Sequence, residues 1–342
     1  MSVLDRADRV QRERKWMAFP LAVYQKFNDD QAGNLASLLA YYAFFSVFPL
    51  LLVFVTVLGF VLQTNPQLQH RISSTALELL PIVGTQDPVH PLRGSVFALV
   101  VGVALALWSG LAVVNQAQVA FNTVFSVPRA EWPGFVPRLL RDLQLLVVGG
   151  LGFLLTTLLS GAVTGAGTYG FALGIGLRLL GAVIAIALNT LLFTFLFTRL
   201  TVRDVGWRNS LPGAAFAAVC WYVLQLVGTA LVTHNLQHAS RTYGTFATVI
   251  GLLAFFHLQA QLTLYAAEIN AVRLDRLWPR GLKTVLGNEP TTEADHRAYA
   301  SYAERDRLAH PDNERIEVHF PNRSDDGDRS DDEPGQATIS DG

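Results

Sequence analysis

Residues 31–69 read QAGNLASLLAYYAFFSVFPLLLVFVTVLGFVLQTNPQLQ, with no Asp, Glu, Lys or Arg. A helix that crosses hydrocarbon needs about 20 mostly apolar residues, and a charge at its centre costs several kcal/mol. A charge-free block of this length is therefore the mark of a membrane span. Five more follow, at 94–128, 143–177, 179–198, 209–240 and 242–267. Together they predict six transmembrane helices near 36–62, 96–124, 143–164, 175–198, 211–233 and 244–268. The fold class is an all-α membrane protein, a six-transmembrane-helix bundle. Core helices of a soluble protein would need amphipathic helices to cover them, and several of these runs have only short connections between them. A cleaved signal peptide fits poorly, since its apolar core is only about 7–15 residues long.

The composition agrees. Of 342 residues, 51% are hydrophobic and 15% charged, where an ordinary soluble domain has about 25% charged. The charges are segregated: residues 1–283 hold 20 Lys and Arg against 12 Asp and Glu, and residues 284–342 hold 6 against 15. Three parts follow: a basic, amphipathic N-terminal segment (1–35), the six-helix domain (36–270) and an acidic tail (271–342). The tail is too poor in apolar residues to offset chain entropy and is expected to be mostly disordered. Residues 63–95, with Pro66, Leu68, Ile72 and Leu79 among polar neighbours, suggest a short amphipathic external helix.

Basic residues orient the spans, because Lys and Arg in short flanks stay on the cytoplasmic side. Arg6, Arg9, Arg12, Arg14, Lys15 and Lys26 precede the first span. Arg129, Arg138 and Arg141, then Arg199, Arg203 and Arg208, then Arg273, Arg276, Arg280 and Lys283 fall in alternate flanks. Arg71, Arg93, Arg178 and Arg241 are left for the other side. Both termini are thus expected in the cytoplasm. The partner expected is the lipid bilayer, with anionic lipids drawn to the basic cluster at 11–15. No nucleic-acid partner is expected, since that cluster lacks an aromatic-lined sheet or docking helix.

Signatures of soluble catalysis are missing: there is no Gly-x-x-x-x-Gly-Lys-Ser/Thr, Gly-x-Ser-x-Gly or His-Glu-x-x-His. No enzyme, cofactor or metal site is expected. His234 and His238 share a helix face but lack a nearby carboxylate, and the single Cys220 excludes an intramolecular disulfide. Polarity inside the spans is the stronger signal, because each such group needs a partner where water is absent. Asn115, Gln118 and Asn122 share one face of the second span, and His257, Gln261 and Glu268 one face of the sixth. Asn189 and Gln225 lie in the middle of the fourth and fifth. These eight residues are expected to line a polar cavity open to the cytoplasm, for a lipid or small solute. The competing expectation is that they only hydrogen-bond helix to helix, with Glu268 pairing with Arg273 or a loop arginine. Pro49, after Tyr41, Tyr42 and Ser46, is expected to kink the first span.

Four stretches resemble a known family. Ala36-Ser-Leu-Leu-Ala-Tyr41-Tyr42-Ala-Phe-Phe-Ser-Val-Phe-Pro49 is similar to the opening signature of the YihY/BrkB membrane proteins. Tyr243-Gly244-Thr-Phe246 with Ala267-Glu268-Ile-Asn270 resembles its closing helix, and Phe121-Asn122-Thr-Val-Phe125 and Leu211-Pro212-Gly213-Ala214 its internal landmarks. The similarity covers about residues 20–280. Thr198-Arg199-Leu200-Thr201 departs from the family pattern, in which Tyr-Arg followed shortly by Pro is frequent. The resemblance implies a bacterial inner-membrane protein with six helices. Members have carried a ribonuclease BN label, a serum-resistance label and suggestions of envelope lipid or solute transport. Phosphodiester hydrolysis needs clustered carboxylates with metal or a His pair, which these residues do not supply. The expectation is a transporter-like or lipid-handling protein, the alternative a non-transporting structural or partner-binding protein of the envelope.

Overall fold

A computed structural model describes residues 8, 11, 13–63, 95–165, 175–235, 241–281, 292–308 and 316–320. The described residues form eight α-helices: α1 Lys15–Asp29, α2 Ala32–Gln63, α3 Val96–Val124, α4 Phe135–Gly165, α5 Ile175–Leu200, α6 Trp207–Asn235, α7 Arg241–Leu274 and α8 Glu293–Arg305. Six of them, α2 to α7, are long and apolar enough to cross a membrane. Their outer faces carry large uncovered apolar side chains, among them Phe97 (79% exposed), Trp108 (74%) and Leu158 (69%). Such a belt is an aggregation liability in water and an ordinary surface in lipid.

The six spans form a bundle. α2 packs along α3 and α7, α7 along α6, α6 along α5, and α5 along α4, with lighter contacts from α3 to α4, α5 and α7. Small residues bring the backbones together. A Cβ on Gly152 would meet Leu192 Cδ1 of α5 at 2.5 Å, and one on Gly110 would meet Leu146 Cδ1 of α4 at 2.8 Å. This small-for-large fit is how helices associate without a hydrophobic driving force between them. Gly149 also faces α5, through Leu196, whereas a Cβ on Gly150 would meet nothing within 4 Å.

Two boundaries differ from the sequence reading. α4 begins at Phe135, ahead of 143, and so takes in Arg138, Arg141 and Asp142. Both inner charges have partners: the Arg141 guanidinium donates to the carbonyls of Arg199 and Thr201, and Asp142 Oδ1 accepts from Gln118 Nε2 at 2.5 Å. α7 likewise runs past Glu268 to Leu274. α2 is helical on both sides of Pro49, and Tyr41 and Phe48 on it are exposed.

The densest packing lies at the end of the bundle where α1 meets α2 and where α3, α5 and α7 finish. Phe121, Phe125, Phe197 and Leu264 are buried there beside Ala36, Ala120 and Ala267. A second cluster joins Ala22 and Val23 of α1 to Val272, Leu277 and Ala298. Within the tail, Glu293–Arg305 is a helix docked on the body. Thr292 caps it: its hydroxyl accepts from Asp295 N at 3.1 Å, while Asp295 Oδ2 accepts from Thr292 N at 3.2 Å. That reciprocal box satisfies two otherwise orphaned donors. Of the stretch 63–95 expected to hold an amphipathic helix, residues 64–94 lie outside the described residues, as do His238 and the side chains of Arg178, His234 and Tyr243.

Candidate functional site

Three charged side chains are buried together where α1, α3 and α7 meet. Lys26 Nζ lies 3.3 Å from Glu268 Oε2, forms a short contact with Asp30 and donates to the Val124 carbonyl at 2.7 Å. Lys26 and Glu268 are both fully buried. Chain geometry puts them there: Asp30, at the end of α1, falls one helical turn beyond Lys26, and Gln31, at φ 51, then turns the backbone into α2. Stacking of Phe27 on Tyr265, centroids 3.8 Å apart, sets α1 against α7. Burial alone would lower the Lys26 pKa, but Glu268 and then Asp30 hold it above the usual lysine value. Glu268 has Lys26 as its counter-ion and the Asp30 carboxyl group as a second close neighbour.

α8 covers this cluster. The Tyr302 ring sits over Lys26, 5.7 Å from Nζ to the centroid, and Arg305 Nη1 donates to Asp30 Oδ1 at 2.7 Å. Buried Arg280 ties the cover down, with Nε on Asp295 Oδ1 at 3.0 Å and Nη1 on Asp29 Oδ2 at 2.7 Å. Burial raises the Asp295 pKa, but hydrogen bonds from Thr292, Arg280 and Gly281 outweigh it and leave the carboxyl below its ordinary value. The Tyr302 hydroxyl is shifted upward, by burial first and then by Asp30 and Asp29.

The eight residues singled out from sequence go to different partners. Gln118 bonds Asp142 on α4. Asn122 Oδ1 accepts from Val202 N at 2.9 Å and Thr201 Oγ1 at 3.2 Å, closing the end of α5. Asn189 donates to its own helix at Ala185 O, 2.9 Å, and its buried Oδ1 has no partner. Asn115 is exposed, while Gln225, His257 and Gln261 are half-buried. Glu268 pairs with Lys26, which precedes the spans, and not with Arg273.

The motif residues do meet. Asn270 Oδ1 accepts from Gly213 N at 2.8 Å and its Nδ2 donates to Ser210 O at 3.0 Å. The closing motif on α7 thus grips the Leu211-Pro212-Gly213 segment at the start of α6, where Pro212 removes a main-chain donor.

Two cavities open at this end. One, of about 840 Å³, is lined by Glu13, Arg273, Asp275, Arg276, Trp278 and Arg297. The other, of about 470 Å³, lies among Arg141, Phe195, Arg199, Arg203, Asp204 and Trp207. Arg203 separates them, with Nη2 and Nη1 on Asp275 at 2.5 and 2.9 Å. Neither is lined by His257 or Gln261.

The chain is similar to Inner membrane protein YhjD of Escherichia coli, 27% identical over 78% of this chain and 83% of the relative. It is 24% identical to the ribonuclease-like protein YfkH of Bacillus subtilis, over 75% of this chain and 95% of that one. A UPF0761 membrane protein of Azotobacter vinelandii is 26% identical over 75% of this chain, which covers 64% of that relative. No solved structure matches. The family model described as virulence factor BrkB matches residues 23–282, a stretch that takes in Lys26, Asn122, Gly213, Glu268, Asn270 and Arg280, and the chain therefore belongs to the BrkB family of integral inner-membrane proteins.

Proposed function

We propose that the protein is a transporter-like, lipid-handling protein of the inner membrane, not an enzyme, and that α1 and α7 move against each other about the Lys26–Glu268 pair. The observation that carries this reading is the Glu268 carboxyl group, fully buried in a membrane span and paired with the equally buried Lys26 of α1. A purely static contact is served as well by apolar residues of similar volume, often with a gain in stability. An ionisable group retained at such a place is by default a functional one. His257 and Gln261 share its face and extend a polar line from mid-span toward it.

The test is lipid movement. The full-length protein is placed in phospholipid vesicles with a trace of nitrobenzoxadiazole-labelled phosphatidylglycerol, and dithionite is added outside. Protein-free vesicles lose only the outer-leaflet label; vesicles with protein are expected to lose nearly all of it. Loss equal to the protein-free control, with protein folded and inserted, would overturn the reading. Lys26→Met/Glu268→Leu should keep the fold and slow the loss.

A structural role is the second reading, favoured by the bonds of Gln118, Asn122 and Asn270, each of which joins two elements of the bundle. The proposed orientation has both termini in the cytoplasm, supported by the arginines that gather at the α1 end. Cysteine at Ser74 should then react with an impermeant maleimide outside intact cells, and cysteine at Gln336 should not. The reverse pattern would invert the topology.

A further inference from the structure

We propose that the 470 Å³ cavity between the start of α4, the end of α5 and the start of α6 binds the phosphodiester headgroup of an anionic phospholipid. Two guanidiniums in its wall, Arg141 and Arg199, make no ion pair with an acid of the lining, Asp142 acting on Arg141 from outside it. Arg141 spends its donors on neutral carbonyls, Nε reaching Arg199 O at 2.8 Å and Nη2 contacting Arg199 O and Thr201 O. Arg199 is exposed, its guanidinium held 5.9 Å from the Phe195 ring centroid. Arg203, the third, is neutralised by Asp275. Asp204 is the one carboxylate in the lining, and its Oδ1 is turned to its own loop, accepting from Gly206 N at 3.2 Å. Within the lining, three arginines stand against Asp204 and the Asp275 that holds Arg203, an excess of one positive charge, while Asp142 behind it is bonded to Gln118. A phosphodiester, with its single negative charge, matches that excess.

Position and shape favour a lipid as the carrier of that group. The cavity sits where three candidate spans begin or end, and its wall changes from arginine to Leu145, Phe195 and Val202. Trp207, 52% exposed at the first position of α6, is an interfacial side chain beside it. The first N–H groups of α6 have no upstream helical carbonyl and add donors that suit an anion. The volume takes a glycerophosphate headgroup and leaves acyl chains to lie along the uncovered helix faces. Basic recesses between membrane helices commonly hold anionic headgroups.

The inference takes up the lipid side of the function proposed above, but not its movement: retention of phosphatidylglycerol without scrambling would end that reading and leave this one standing. The experiment is native mass spectrometry of the full chain in a neutral detergent with equal amounts of dioleoyl phosphatidylglycerol and dioleoyl phosphatidylcholine. The wild-type protein should retain phosphatidylglycerol in preference. Arg199→Gln should weaken that retention about fivefold, the share of one arginine near an anionic headgroup, and Arg199→Lys should restore most of it. Arg273→Gln, at the other cavity, should leave it unchanged. Equal retention of the two lipids by the wild-type protein, or an unaltered Arg199→Gln, would overturn the proposal. Displacement of the phosphatidylglycerol by millimolar glycerol 3-phosphate would assign the cavity to a soluble phosphate ester and overturn the lipid.

Discussion

Lys26→Met is expected to be among the most damaging single changes in the protein, lowering its stability in detergent by about 3–5 kcal/mol, the penalty for leaving a buried charge without its counter-ion. Glu268 bears most of that loss. Asp30 keeps the Arg305 guanidinium at 2.7 Å, whereas Lys26 is the one cation paired with Glu268 among the described residues. The reverse change should be milder, since in Glu268→Gln the ammonium still holds Asp30 and the Val124 carbonyl. Removing both charges in Lys26→Met/Glu268→Leu should recover more than half of the single-variant loss. Melting of the purified variants, followed by size-exclusion chromatography after heating, checks the order. A neutral Lys26→Met, or a double variant as unstable as the sum of the singles, would mean that the pair is not electrostatically coupled.

The six spans were legible because charge-free length is a coarse signal that survives any detail of packing. What the sequence obscured is where charge is tolerated. Asp142 and Arg141 truncate the third span when counted as charges, yet Gln118 and two main-chain carbonyls receive them and α4 continues. Lys26 looks like one more flanking cation, and nothing local says that its ammonium crosses to α7; only the fold brings positions 26 and 268 together. The docked tail helix had a readable start, Thr292 with Asp295 three residues on, but averaging over an acidic tail hid it. Polar residues inside the spans need partners, but the sequence does not say which ones. Their partners are specific and separate: Asn122 closes the end of α5, Asn270 grips the start of α6, and only the motif pair Leu211–Ala214 with Ala267–Asn270 meets face to face.

That meeting makes Gly213 the position least able to change. Gly213→Ala is expected to yield little or no folded protein, while Gly150→Ala, the same chemical step in another span, should be neutral or slightly stabilising. A Cβ at 213 would run into the Ala266 carbonyl of α7 and would lie 2.5 Å from Asn270 Nδ2. Overpacking commonly costs about 1–3 kcal/mol where side chains can give way. Here the obstacle is main chain, and moving α7 aside also breaks both hydrogen bonds of Asn270, to Gly213 N and Ser210 O. Each partner would then be a buried polar group without water, at about 1–3 kcal/mol apiece. Pro212 sharpens the effect, because α6 already lacks one internal bond at this turn and depends on α7 to hold it. At Gly150 a methyl meets nothing within 4 Å, and what remains is the helix preference for Ala over Gly, about 1 kcal/mol. Expression of the two variants with a fluorescent fusion, and melting of whatever is recovered, separates a packing requirement from a general intolerance of methyl groups in the spans. Wild-type yield and melting of Gly213→Ala would show that α6 and α7 can part without loss, and the grip of Asn270 would then be incidental to the fold.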